Sequence, residues 1–213
     1  MCIVGMILTI LSTIMGIHFI QVDEEFHIQL SRQERFLCVI TDGLSCFLFY
    51  KLSHNGIDTI VLAFIGLVIS YLLISAITDA RFHMIYYGFL YLFLIGAFIL
   101  DMYLAITNQK CSTPILGLIV LLAFSWISYV FHLYEKGDIA LTFASGIVFY
   151  FLCGSAANAM ICNCFVIFFA ELAMLIHAKR KGLFHKGKLL KPMPLGPYLF
   201  GSFMISMILL TTM

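Results

Sequence analysis

The chain alternates long apolar runs with short polar breaks. Eight runs, roughly 1–20, 36–53, 57–78, 84–106, 114–133, 139–156, 158–178 and 194–212, have the length and polar flanks of membrane spans. The second is the weakest, being short and carrying Asp42. The breaks read QVDEEFHIQLSRQER, SHNG, TDARFH, TNQKCSTP, YEKGD, a small Ser/Ala/Asn break near 155–158, and HAKRKGLFHKGKLLKP. A membrane β-barrel would alternate apolar and polar residues in short strands; these runs are uniformly apolar, which favours helices. The pattern predicts an all-α polytopic membrane bundle of about eight transmembrane helices, as a single domain over 1–213. The first twenty residues lack a basic leading region and a small-residue cleavage site, so they read as a retained helix.

Composition agrees with that pattern. Of the 213 residues 62% are hydrophobic and 11% charged, too few polar groups to cover a water-soluble fold of this size. The net charge of +1 offers no field for nucleic acid, so no nucleic-acid partner is expected. The seven Cys form no CxxC, which leaves no signal for a zinc ribbon or a redox dithiol. Cys162 and Cys164, two apart in an apolar run, read as small buried thiols. No cofactor and no metal is expected.

Charge orients the threading. The loop 179–192 holds Lys179, Arg180, Lys181, Lys186, Lys188 and Lys191. With that loop in the cytoplasm, an eight-span threading also puts Lys136, Arg81, Arg32 and Arg35 inside, and only Lys51 and Lys110 outside. Ten against two makes the orientation self-consistent, with both termini outside. The same basic loop suits anionic lipid headgroups.

The threading brings Asp79, at the cytoplasmic end of the third span, to the same depth as Asp138, at the cytoplasmic start of the sixth. Two aspartates a few ångströms apart hold one proton between them. The ionised partner takes a proton from water while the protonated one polarises a carbonyl, as in aspartic proteases. Gly137, beside Asp138, admits close backbone approach of the kind a substrate strand needs. The bland alternative is open for each acid alone: an Asp at a helix end is commonly a solvated cap or an interfacial charge. Asp79 has another rival use, since His83 at i+4 could share a metal on one helix face. Asp101 reads as interfacial near the outer end of its span. Glu171 lies within an apolar run and is expected to face the bundle interior, its partner unnamed. His132 and His177 near the interface are given no role. Pro192, Pro194 and Pro197 fix an irregular, rigid lead-in to the last span, which either shapes a site or starts a helix.

Three stretches together resemble the type IV prepilin leader peptidases, a family of membrane aspartic proteases. Ile77-Thr78-Asp79 is followed six residues on by Ile85; the family has Asp, five residues, then Ile-Pro-Asn. Lys136-Gly137-Asp138-Ile139-Ala140-Leu141 matches Gly-x-Gly-Asp-Val-Lys-Leu. Met193-Pro194-Leu195-Gly196-Pro197-Tyr198-Leu199 follows a basic loop and matches Ile-Pro-Phe-Gly-Pro-Phe-Leu. The resemblance covers the chain from about Arg35, so that 1–35 stands as an N-terminal span with a short cytoplasmic loop and 36–213 as the family-like core. It implies a catalytic pair Asp79 and Asp138, supported by the backbone of Gly137, Pro194, Gly196 and Pro197. It implies a prokaryotic plasma-membrane enzyme that cleaves the leader of a prepilin-like substrate at the cytoplasmic face. Many family members also N-methylate the product with a cytosolic domain carrying two CxxC pairs. Here that interval is the loop 21–35, without Cys, so no methyltransferase activity is expected. The family's Asn and Phe become Tyr87 and Leu195, and at three further positions Tyr86 replaces Pro, Glu135 replaces Gly and Ala140 replaces Lys. They motivate an alternative, a non-catalytic membrane protein derived from the peptidase, either an assembly factor or a small transporter.

Overall fold

A computed structural model describes residues 2–22, 29–83, 85, 87–107, 116–130, 136–185, 188–189 and 193–212. Lys110, His132, Glu135, Tyr86, Lys186, Lys191 and Pro192 lie outside them. The described residues form eight helices at the eight expected places: α1 (Cys2–Val22), α2 (Arg32–His54), α3 (Thr59–Phe82), α4 (Tyr87–Ile106), α5 (Leu116–Val130), α6 (Lys136–Cys153), α7 (Ala156–Arg180) and α8 (Gly196–Thr212). The one non-helical element among them is a small antiparallel pair in the basic loop, β1 (Phe184–His185) with β2 (Lys188–Leu189).

The protein is a membrane-embedded helical bundle. Ile3–Gln21, Arg32–His54, Thr59–Phe82 and Ala156–Arg180 are each long and apolar enough to cross a bilayer, and shorter apolar helices accompany them. The outer surface carries Val39, Ile99 and Phe168 at 68%, 62% and 58% exposure. Such a surface is costly in water and neutral against lipid tails.

Helix α2, the weakest prediction, is a full 23 residues. Its start is set by a capping box. Glu34 N–H donates to Ser31 Oγ at 3.3 Å, and Ser31 N–H donates to Glu34 Oε2 at 2.7 Å. The helix therefore begins before the apolar run does.

Helix α3 is the axis of the bundle. Asp58 caps it, accepting the Ile60 N–H at 3.0 Å. Val61 through Asp79 supplies most of its buried residues. Around it pack α1, α2, α4, α6 and α8. Helix α1 runs parallel to α3 at very close range. A methyl group added at Gly66 would lie 2.3 Å from Thr9 Oγ1, and one at Gly16 would lie 1.9 Å from Ile74 Cδ1. Small residues let the backbones approach, and hydroxyls hold them there. Ser12 Oγ donates to Ser70 Oγ at 2.6 Å, Ser70 Oγ in turn reaches Thr9 O at 3.0 Å, and Thr13 Oγ1 donates to Asp42 Oδ1 at 3.2 Å. Asp42 is thus tied to α1 instead of weakening its own span.

The α6–α7 pair turns at Gly154, whose φ of 63° is the left-handed region glycine tolerates. It is pinned lower down by Asn163. The Asn163 Nδ2 donates to Thr142 O at 2.8 Å, and its Oδ1 accepts from Ser145 Oγ at 2.6 Å.

Two expectations need correction here. Asp101 is not interfacial: it is fully buried, and Tyr150 OH donates to its Oδ1 at 3.1 Å, joining α4 to α6. A buried acid needs such a donor, whereas position along the helix alone suggested a wet end. Cys164 is not a buried thiol but exposed on the lipid-facing side of α7, while Cys162 is half-buried. An apolar run does not tell which face of a helix meets lipid and which meets protein.

Candidate active site

Five helix ends and a turn gather at one end of the bundle. The C-terminal end of α3 carries Asp79. The chain then leaves the helix at His83, which adopts the left-handed conformation (φ 54°, ψ 38°) and donates its N–H to Asp79 O at 3.0 Å. His83 is exposed while Asp79 is buried, at 6% exposure. The two side chains therefore do not share a helix face, and the rival use of Asp79 with His83 finds no support among the described residues: the helix ends one residue too soon.

Asp79 meets α8. Gly196 N–H donates to Asp79 Oδ2 at 2.7 Å. The first N–H groups of a helix have no partner within it and carry the positive end of its dipole. Asp79 thus caps α8 from another helix. Leu195 provides the rest of the start, its carbonyl accepting from Tyr198 N–H at 3.1 Å and Leu199 N–H at 3.0 Å. Pro194 and Pro197 flank this start, both half-buried. Proline at the second helical position costs nothing, because that N–H would lack a helical partner anyway. Gly196 is required by contact. A methyl group there would lie 2.8 Å from Asp79 Oδ2, 3.1 Å from Asp79 Cβ and 3.3 Å from Leu141 Cδ1.

That last contact brings in α6. Asp138 is half-buried in the first turn of α6, and Leu141 is nearly one turn on. On its other side, a methyl at Gly137 would lie 2.7 Å from Ile85 Cδ1. Residues on both sides of Asp138 therefore touch the Asp79 segment: Gly137 packs on Ile85, and Leu141 packs where Asp79 meets Gly196. The close approach Gly137 permits is taken by Ile85, not left open to a substrate strand as the sequence suggested. Ala140 is buried at 1%, so the site has packed where the family pattern has a lysine.

Two further contacts at this end were legible but unread. Arg81 binds Glu34 through two of its three guanidinium nitrogens, Nε to Oε1 at 2.5 Å and Nη2 to Oε2, and the remaining Nη1 donates to Gln29 O at 3.3 Å. The Ser31-x-x-Glu34 capping signature could have found Glu34. His177, given no role from sequence, stacks edge-on against Tyr198 with ring centroids 5.9 Å apart, tying α7 to the start of α8. Lys179, Arg180 and Lys181 are exposed at the same end. Glu171 is half-buried on α7 and does not face fully inward.

The site gathers an acid held by a helix N-terminus, a second acid in the first turn of a neighbouring helix, and a rigid proline-flanked lead-in. Comparison with protein-family models, curated proteins and solved structures finds no match for this chain.

Proposed function

We propose that this protein is a membrane aspartic endopeptidase of the prepilin leader peptidase kind, with Asp79 and Asp138 as its catalytic pair. The observation that supports it most is the three-way junction of α3, α6 and α8, in which all three resemblance stretches meet through Gly137–Ile85, Leu141–Gly196 and the Gly196–Asp79 hydrogen bond. Stretches 117 residues apart in the chain have no need to meet if each is only a solvated helix end.

The geometry also suggests which acid does what. A helix N-terminus and an N–H donor favour the anion. Asp79, holding that bond, is assigned the role of base that takes a proton from the attacking water. Asp138 is assigned the acid that protonates or polarises the scissile amide. The basic end of the bundle would face the cytoplasm of a prokaryotic cell. The substrate would present its leader there, just ahead of its own apolar helix.

The test is cleavage of a co-expressed prepilin-like protein by wild type and by the Asp79→Asn and Asp138→Asn variants. General acid–base catalysis contributes about 10²–10⁴-fold, so each variant should lose at least roughly 100-fold in rate while remaining in the membrane. Full activity in either variant would sink the assignment. The second reading, a non-catalytic derivative of such a peptidase, draws on the buried Ala140. It expects no cleavage by wild type and tolerance of both substitutions.

A further inference from the structure

No two cysteines stand in a CxxC, yet two of them meet in the fold. Cys153 is the last residue of α6, and Cys162 stands in the second turn of α7. Their thiols are hydrogen-bonded to each other. Both are half-buried, and Cys162 packs against the hydrophobic core. The backbone holds each of them in place. The turn begins right after Cys153, where Gly154 N–H donates to Tyr150 O at 3.0 Å, and α7 opens with Ala159 N–H donating to Ser155 O at 3.0 Å. Asn163, next to Cys162, is tied to Thr142 O and Ser145 Oγ on α6. Sulfurs already in contact have little distance left to close to the ~2.05 Å of a disulfide.

The place of the pair in the bundle decides its chemistry. At 1.5 Å per residue, Cys153 lies about 22 Å along α6 from Asp138, and Cys162 about 26 Å along α7 from Lys179. Those distances are most of the ~30 Å hydrocarbon layer. The thiols therefore sit toward the end of the bundle away from Asp79 and the basic residues. With the basic end in the cytoplasm, the α6–α7 turn faces the opposite compartment. In a prokaryote that is the oxidising side, where paired thiols become and stay disulfides.

We propose that Cys153 and Cys162 are oxidised to a disulfide that staples α6 to α7 on the exoplasmic side. The oxidant is a disulfide donor of that compartment, such as an oxidised dithiol protein. Cys153, at the turn, is the thiol such a donor reaches. Its thiolate attacks one donor sulfur, and the other donor sulfur leaves as a thiolate. The Cys162 thiolate then attacks the Cys153 sulfur of the mixed disulfide and releases the second donor thiolate. One donor S–S bond is lost and one protein S–S bond is gained. Two electrons pass to the donor, and the two thiol protons end on its thiols. The site rests on the charge threading and stands whether or not Asp79 and Asp138 cleave anything.

The full chain is expressed in bacterial cells, which are quenched in acid and denatured with light N-ethylmaleimide to cap free thiols. Disulfides are then reduced and capped with the heavy reagent, and each cysteine is read by mass spectrometry. Cys153 and Cys162 should carry heavy over light label by at least roughly tenfold, as structural disulfides resist reduction. Cys153→Ala should turn Cys162 light, and Cys162→Ala should turn Cys153 light. Cys164→Ala should leave both heavy, since that thiol is exposed on the other side of α7. In parallel, the reduced purified chain in nanodiscs is treated with glutathione disulfide and should close the same bond. Light label at both positions in cells would overturn the proposal. Closure in nanodiscs would then trace the fault to the threading, and no closure to the pairing itself. Heavy label persisting at Cys162 in Cys153→Ala would also overturn it, because another cysteine would then be the partner.

Discussion

Gly196 shows how much one missing side chain can carry. Any larger residue would push α8 off the carboxylate that caps it. Gly196→Ala should lower stability by about 1–3 kcal/mol through overpacking, read as a fall in melting temperature in detergent, and should reduce cleavage along with it. The Arg81–Glu34 pair behaves differently. Its side chains are 30% and 19% exposed, so water and salt screen it. Arg81→Gln should cost less than about 1 kcal/mol, and the loss should shrink further at high ionic strength in the same melting assay.

Among the elements, the α4–α6 contact separates a structural acid from the candidate catalytic ones. Tyr150→Phe removes a donor to a fully buried carboxylate and should cost about 1–3 kcal/mol of stability while leaving leader cleavage near the wild-type rate. A thermal melt paired with a cleavage assay checks both halves. The same contact marks where sequence reading ran out. The apolar runs announced all eight helices, the charge threading put Asp79 and Asp138 at one end, and only the resemblance pointed to Gly196. Asp101 was misread because a helix end is inferred from run length, while burial depends on which neighbour faces it; only packing supplies Tyr150. The rival pairing of Asp79 with His83 fell because i+4 spacing assumes that the helix continues, and a left-handed residue ends it. Glu34 failed for a third reason: its capping box lay in a polar break, where the apolar pattern carries no information.

For the molecule as a whole, the strongest expectation concerns sidedness. Arg81, Lys136, Lys179, Arg180 and Lys181 belong to the end where Asp79 meets α8, and Lys51 belongs to the far end of α2. In a Cys-less background, cysteines at Lys181 and at Ser53 should therefore react with a membrane-impermeant maleimide from opposite sides. Labelling of both from one side would overturn the threading.

The bond between Asp79 and Gly196 also sets a schedule for biogenesis. Its two ends are separated by 117 residues. At roughly 5–20 residues per second, a ribosome needs about 6–23 s after making Asp79 before Gly196 exists to donate to it. Through that interval α3 would occupy the membrane without the donor that holds its carboxylate in place. A nascent or truncated chain lacking α8 would then be an incomplete protease, unable to act on any substrate inserted beside it. On the peptidase reading, proteolysis becomes available only once the last helix is in place.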